Sequence, residues 1–276
     1  MPVPAAVSSE NRGEQIMSGL SFPISLASLL AAAVFTGARI AGLMVFCPFL
    51  SNDAIPLPVK AGLTMLLTAL LYPLHGPVAL VLGPWQWLQV TLGEVVIGLL
   101  LGLTADFLLE SALVAGQILG VQMGYSLANL FDPQTQADTP VLAEFHQLAG
   151  LLVFLQLNVH HWVLRALVRS YGYLAPGAGW ATLAATSGLL HAAGGIFLAA
   201  VEIAGPALAA TVVVDVALGL LGKASPQLPV LFIGLSVKNL LGLAVMIATL
   251  AYWPRFFGER FAQAVAVGER LLHLAR

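Results

Sequence analysis

The stretch from Gly93 to Gly124, GEVVIGLLLGLTADFLLESALVAGQILGVQMG, decides the fold because it joins a long apolar run to an evenly spaced row of glycines. A helix that crosses a bilayer needs about 20 apolar residues, and the segment from Trp87 to about Leu113 has that length. Beyond it the sequence is only half hydrophobic, and Gly116, Gly120 and Gly124 recur every four residues. This spacing lets a second helix approach closely. We therefore predict a membrane helix followed by a segment that does not face lipid.

The composition of the whole chain extends this interpretation. The 276 residues are 59% hydrophobic and 9% charged, with a mean hydropathy of +0.93, whereas a soluble domain carries about 25% charged residues. So few charges cannot cover a surface that faces water, which predicts an integral membrane or membrane-assembly protein. The net charge of −2 offers no basic patch of the kind that nucleic acid binding requires.

Six apolar segments are long enough to span a bilayer. They are Leu26 to Leu50, Ala61 to about Leu82, Trp87 to about Leu113, Gln147 to about Leu167, Ile196 to Leu221 and Leu228 to Trp253. Residues 1–19 form a polar N-terminal segment, and residues 254–276 have the pattern of an amphipathic helix. The predicted fold is all-α: a single membrane domain over residues 1–276, with about six hydrophobic helices arranged as kinked hairpins and an amphipathic C-terminal tail.

Basic residues outside the spans predict the orientation, because they favour the cytoplasmic side. With six spans, cytoplasmic N- and C-termini leave only Lys60 and Lys223 outside. The basic residues then placed inside are Arg12, Arg165, Arg169, Arg255, Arg260, Arg270 and Arg276. We therefore predict that both termini are cytoplasmic.

Several charged residues lie inside the apolar segments, where each unpaired charge costs at least ~2.5 kcal/mol at a bilayer centre. They are Arg39, Glu94, Asp106, Glu110, Glu202, Asp215 and Lys238. Ion pairs between helices or between subunits are the favoured interpretation, and a proton or substrate relay stays open. Asp106 and Glu110 are four residues apart and share one helix face, so they need a cation from elsewhere.

The polar segment after the long apolar run has no Lys or Arg; none occurs between Lys60 and Arg165. Its amides need partners or water at membrane depth, so the segment either packs inside an assembly or lines an aqueous path. The candidate pore or plug residues are Gly116, Gln117, Gly120, Gln122, Met123, Gly124, Phe131, Asp132 and Pro133.

Motifs of catalysis and cofactor binding are absent from the sequence. There is no GxSxG, no GxxxxGK[ST] and no HExxH. The adjacent His160 and His161 would point about 100° apart on a helix, which does not suit joint metal binding. We predict no catalytic residue, no cofactor and no metal site.

Four stretches in order carry a resemblance. They are RIAGLMVFCPFLSNDAIPLPVKAGLTMLLTALLYP from Arg39 to Pro73, GEVVIGLLLGLTADFL from Gly93 to Leu108, the region of Gln-Met-Gly, Asp-Pro, Pro-Val-Leu and paired His up to Tyr171, and SPQLPVLFIGLSVKNLLGL from Ser225 to Leu243. Together they resemble the FliR family, membrane components of the flagellar export gate that are related to a subunit of type III secretion injectisomes. The paired histidines resemble the flagellar members more closely.

The resemblance implies a non-enzymatic subunit that helps to form and close a central export pore with FliP-like and FliQ-like subunits. It also implies FlhB-like and FlhA-like export components and unfolded export substrates as partners. The location would be the bacterial inner membrane, at the flagellar basal body. A plug-like loop of this family would lie in the region from Gly116 to Pro133.

Two other function classes remain open at this stage. A secondary transporter of a small solute would use the intramembrane acidic residues and helices broken by Gly and Pro. It would also have two similar halves, and the polar segment after Val121 has no counterpart in the other half. A membrane enzyme would need a motif that the sequence lacks.

Overall fold

A computed structural model describes residues 26–48, 50–51, 55–74, 83–125, 141–177, 183–225, 227 and 230–274. All regular structure in these ranges is helical, which confirms the all-α prediction. The helices are α1 (Leu26–Phe46), α2 (Leu57–Leu71, followed by the 3-10 turn Tyr72–Leu74), α3 (Pro84–Gln122), α4 (Val141–Gln156), α5 (Val159–Tyr173), α6 (Leu183–Ala224), α7 (Val230–Leu250) and α8 (Trp253–Leu274). The polar segment over residues 1–19 lies outside the described residues.

The helices differ in whether they could cross a bilayer. Within the described ranges, four are long and apolar enough: Ser28–Phe46, Pro84–Gln122, Gly194–Ala224 and Ile233–Leu250. The pair α4 and α5 would be a fifth if the two helices form one bent span, and α2 is a shorter apolar helix of 15 residues. The second predicted segment therefore appears as a short helix, because Pro56 precedes its start and Pro73 follows its end.

The central helix α3 is longer than the sequence predicted. It begins at Pro84, with the Gly83 N–H donating to Gln86 Oε1 at 3.0 Å, and runs without interruption for 39 residues to Gln122. The expectation that this helix ends near Leu113 was wrong. The half-hydrophobic part stays helical because Gly116 and Gly120 are buried against other helices, where packing outweighs their low helix propensity.

The fourth predicted span is not one helix. It breaks at Leu157 and Asn158, and the axes of α4 and α5 differ by 66°. Asn158 lies in the left-handed region, with φ 54° and ψ 33°. Asn tolerates this conformation better than most residues with a side chain, so it allows the chain to turn without a Gly or Pro. The expectation of a continuous helix from Gln147 to about Leu167 was therefore wrong.

Close backbone packing holds α1 parallel to α3. A Cβ added at Gly98 would collide with the Arg39 carbonyl, and one added at Gly42 with the Val95 carbonyl, so only glycine allows this approach. At the start of α3 the rings of Phe35 and Trp87 lie 4.8 Å apart. Because α1 and α3 run in the same direction, α2 has to return the chain between them.

Helices α4 and α8 pack against α3 and against each other. A Cβ at Gly116 of α3 would lie 2.5 Å from Ala143 Cα of α4. Aromatic contacts join α8 to α4, with Trp253 5.4 Å from the His146 ring and Phe261 5.4 Å from the Phe154 ring. The C-terminal segment is therefore the predicted amphipathic helix, and its apolar face is part of the core.

Helices α6 and α7 form an antiparallel hairpin beside the end of α3. A Cβ at Gly234 would lie 2.7 Å from Leu218 Cδ1, and one at Gly242 would lie 3.2 Å from Thr211 Cγ2. Pro206 lies inside α6 and leaves the Glu202 carbonyl without its usual helical donor. Much of the hairpin is exposed. Only 33% of the apolar stretch of α6 and 17% of that of α7 is buried within the chain, against 61% for α3.

Candidate functional site

The most buried polar site of the described structure centres on Arg39 of α1, whose side chain is fully buried. Its Nε atom donates to Glu94 Oε2 of α3 at 2.6 Å. Its Nη1 donates to Ser170 Oγ of α5 at 3.0 Å, and its Nη2 donates to the Leu174 carbonyl at 3.0 Å. One guanidinium therefore joins three helices and the turn after α5.

Further contacts complete this Arg39 site. The Tyr171 ring lies 4.3 Å from the guanidinium carbon, and the Tyr171 hydroxyl donates to the Thr36 carbonyl at 3.1 Å. The second carboxylate oxygen of Glu94 accepts from the Gly177 N–H at 2.8 Å. Neither charge is left unpaired, which is what a buried ion pair requires if it is to be tolerated. The sequence singled out Arg39 and Glu94 but missed Ser170, Tyr171 and Gly177.

A second charged cluster lies at the end of α3. Lys238 Nζ of α7 is 2.8 Å from Asp215 Oδ1 of α6, and Gln122 Nε2 of α3 donates to Asp215 Oδ2 at 3.0 Å. The pair is partly accessible, with 16% of the Lys238 side chain and 44% of the Asp215 side chain exposed. Helix α6 continues past Asp215 to Ala224, and α7 begins before Lys238, at Val230.

The remaining acidic residues of the predicted set behave differently from one another. Glu202 of α6 forms an ion pair with Arg260 of α8. The sequence had placed Arg260 in an amphipathic tail and gave no sign of this pair. Asp106 and Glu110 are half-buried on one face of α3. No described residue forms a hydrogen bond or ion pair with either carboxylate.

Of the candidate pore or plug residues, Gln122 donates to Asp215, and the others fall into four groups. Gly116, Gly120 and Met123 are buried, and the Cε and Sδ atoms of Met123 lie 2.8 and 2.9 Å from the place that a Cβ at Gly242 would take. Gln117 lies on the exposed side of α3. Gly124 follows the helix with φ 84°, a backbone conformation that favours glycine. Phe131, Asp132 and Pro133 lie outside the described residues.

The paired histidines lie on α5, after the bend. Their ring centroids lie 4.2 Å apart with the ring planes tilted by 38°, and the His160 ring also lies 6.4 Å from that of Phe154. Among the residues that the structure describes, no three potential metal ligands of the types His, Cys, Asp and Glu converge.

Most of the sequence matches one family model. Residues 30–264 match bacterial export proteins, family 1, a range that includes the Arg39 site, the Asp215 cluster and the α6–α7 hairpin. The chain belongs to this family.

Similar proteins agree with this membership. The flagellar biosynthetic protein FliR of Escherichia coli is 31% identical over 229 residues, which cover 82% of this chain and 86% of that protein. FliR of Bacillus subtilis is 26% identical over 231 residues, covering 82% and 89%. The secretion system apparatus protein SsaT of Salmonella typhimurium is 25% identical over 182 residues, covering 61% and 65%.

Family membership and the apolar helices make the chain a multi-pass membrane component of an export apparatus of the flagellar or type III secretion kind. The family is one of structural export components. The alternative interpretation, a secondary transporter of a small solute, is not supported by any of these similarities.

Proposed function

We propose that this chain is a non-enzymatic subunit of the flagellar protein export gate, which helps to form and close the export pore with FliP-like and FliQ-like subunits. The observation that carries the proposal is the α6–α7 hairpin. Helix α7 buries only 17% of its apolar stretch within the chain and packs chiefly on α6. Most of its apolar surface therefore has to be covered by something outside this chain. The flagellar relatives also match more of the chain than the secretion relative does.

Protein rather than lipid is also the better cover for other exposed parts of the chain. The half-exposed Asp106 and Glu110 have no cation among the described residues, and unpaired charges are costly in hydrocarbon. The short α2 and the broken α4–α5 pair also differ from ordinary spanning helices. A neighbouring subunit could bring both an apolar helix and a basic side chain to these places.

We assign pore closure to the segment of the chain from Gly124 to Pro133. The upstream candidates, Gly116 and Gly120, support α3 packing, whereas Gly124 has the φ of 84° that lets the chain leave the helix axis. In this proposal Phe131, Asp132 and Pro133 belong to the plug. Gly124→Asp is expected to increase the leak of small ions through the assembled gate, and unchanged permeability and export would remove this assignment.

The proposed location is the bacterial inner membrane, at the flagellar basal body, with both termini in the cytoplasm. The basic residues favour this orientation by seven to two, and the return of the chain by α2 keeps α1 and α3 parallel. A phosphatase that folds only in the oxidising periplasm, fused after Arg276, should be inactive. An active fusion would contradict the orientation without affecting the other assignments.

The experiment that tests the function is co-expression with FliP-like and FliQ-like subunits, together with FlhB-like and FlhA-like components. After extraction in a mild detergent, this chain should elute with the first two in one particle of defined mass. A matched preparation without the partners gives the mass of the chain alone. If the chain always elutes alone, it is not a gate subunit.

A further inference from the structure

The end of α3 is docked against the α6–α7 hairpin by one polar cluster and one apolar contact. Gln122, the last residue of α3, donates from Nε2 to Asp215 Oδ2 of α6 at 3.0 Å. Lys238 Nζ of α7 lies 2.8 Å from the other carboxylate oxygen, Oδ1. The Asp215 carboxylate therefore joins three helices at the place where α3 ends.

The residue after Gln122 makes the apolar contact. The Met123 side chain is fully buried, and its thioether lies in the space that the missing side chain of Gly242 leaves on α7. A Cβ at Gly242 would also come within 3.2 Å of Thr211 Cγ2 of α6, and Thr211 is itself fully buried. The end of α3 is thus packed against both helices of the hairpin, and closely packed contacts of this kind transmit a shift of one helix to the other.

Asp215 lies at the border between this buried contact and the open surface of the hairpin. Thr211, one turn before it on α6, is buried, whereas the nearby Val212 and Val216 are exposed. The Asp215 side chain is 44% exposed, so water competes for its carboxylate oxygens. In the proposed gate a partner subunit covers the valines and excludes this water. Polar contacts strengthen when water is excluded if every group stays paired, and Asp215 has a donor on each of its oxygens.

We propose that this cluster couples the binding of a partner subunit to the position of the end of α3, with Asp215 as the positioning residue. A subunit that covers the hairpin strengthens both contacts of Asp215 and so fixes Gln122, Met123 and Gly124, where the chain leaves the helix. By linkage, the same contacts favour the covered state of the hairpin by an equal factor. The inference rests on the proposed function, because it takes a partner subunit as the cover.

Amide hydrogen exchange measures this coupling at the residues concerned. The Met123 N–H donates to the Leu119 carbonyl at 2.8 Å, and the Gly124 N–H donates to the Val121 carbonyl at 3.1 Å. Both amides are therefore protected only while the last turn of α3 stays formed. Mass spectrometry follows the exchange of the peptide that contains them, in the full-length chain alone and in the assembly with FliP-like and FliQ-like subunits. In the wild-type chain this exchange should be slower in the assembly.

Gln122→Met removes the link to α3 while keeping a side chain of similar length and leaving the pair of Asp215 and Lys238 intact. It should accelerate the exchange about twofold in the chain alone and about tenfold in the assembly, as for an exposed and for a protected hydrogen bond to a charged group. Asp215→Ala removes the acceptor and should give the same pattern. The matched control is Gln117→Met, which changes an exposed glutamine of the same helix and should leave the exchange unchanged.

Three results would overturn the coupling. Equal acceleration by Gln122→Met in the two states would show that the contact only stabilises the helix end. No acceleration by Gln122→Met, together with a large one by Asp215→Ala, would place the effect in the hairpin rather than in the link to α3. An equally large effect of Gln117→Met would show a general loosening of α3. Each of these results leaves the proposed function intact, whereas a wild-type chain that never assembles refutes the proposed function and the coupling with it.

Discussion

Arg39 shows how a charged residue can be kept in a membrane protein without a functional cleft. Its guanidinium has donors on three nitrogens, and the structure supplies one acceptor for each: Glu94, Ser170 and the Leu174 carbonyl. The acceptors come from two other helices and from the turn after α5, so the side chain sets the relative position of all of them. The favourable contacts offset the cost of removing two charges from water.

Removing the cation is expected to leave Glu94 charged and buried. We expect Arg39→Ala to lower the free energy of unfolding by about 3–5 kcal/mol, as is typical when one partner of a buried pair is lost. The measurement is thermal or denaturant unfolding in detergent. Arg255→Ala is the matched control, because its partner Glu259 and the arginine itself are largely exposed; its effect should stay within about 0.5 kcal/mol. Similar losses for both variants would contradict the account.

The close approach of α1 and α3 gives a second prediction at this scale. Gly98→Ala places a methyl group against the Arg39 backbone carbonyl, which cannot rotate away, so the helices must separate. We expect a loss of about 1–3 kcal/mol in unfolding free energy, as for an overpacked core. Gly62→Ala on α2 meets open space and is the control; it should be neutral or slightly stabilising. A neutral Gly98→Ala would mean that the two helices are farther apart than described.

The sequence could identify the members of the Arg39 site only in part. Arg39 and Glu94 stand out because charges are rare in apolar segments, but their 55-residue separation hides the pairing. Ser170 and the Leu174 carbonyl give no signal at all, since a serine in a helix and a backbone carbonyl occur everywhere. Asp106 and Glu110 stand out equally, yet the described chain offers them no cation, so the sequence could not distinguish pairs within the chain from pairs with a neighbour.

At the scale of the helices, hydropathy predicted where they lie better than how they end. The ends depend on local chemistry, such as Pro84 at the start of α3 and the left-handed Asn158 between α4 and α5. A glycine-rich stretch stayed helical because Gly116 is packed against α4. Apolar composition carries no information on such contacts, which is why the predicted boundaries of the third and fourth segments were wrong.

The bend at Asn158 depends on backbone conformation and can be tested directly. The side chain is exposed, so substitutions there change little except the preference for φ 54°. Asn158→Gly should be tolerated within about 0.5 kcal/mol, whereas Asn158→Val should lower the unfolding free energy by about 1–2 kcal/mol or more. Unfolding in detergent measures both. If valine is as good as glycine, the left-handed bend is not required.

Helix α8 is part of the core rather than a loose tail. Phe257 is fully buried and lies between the rings of Trp253, at 5.3 Å, and Phe261, at 5.8 Å. Phe257→Ala should lower the unfolding free energy by about 3–5 kcal/mol and expose α8 to trypsin. Tyr252→Ala, at a 74% exposed position, is the control and should change neither. Equal protease resistance of both variants would show that α8 is not docked.

At the scale of the whole molecule, the exposed apolar surface is the feature that relates structure to function. Side chains such as Val213 and Leu240 are 67% and 73% exposed on the α6–α7 hairpin. The sequence predicted apolar helices but could not show which faces are covered within the chain, because burial in lipid and burial in a partner favour the same residues. The proposed gate subunit needs partner helices on this hairpin.

Photo-crosslinking from this surface is the most direct test of the account. The chain has a single cysteine, Cys47, so Cys47→Ala with Leu240→Cys allows one benzophenone to be attached to α7. In the intact assembly with FliP-like and FliQ-like subunits, illumination should give a protein adduct with the mass of a partner. If the assembly forms and only lipid adducts appear, the hairpin faces the bilayer, and the central claim that partner subunits cover it is wrong.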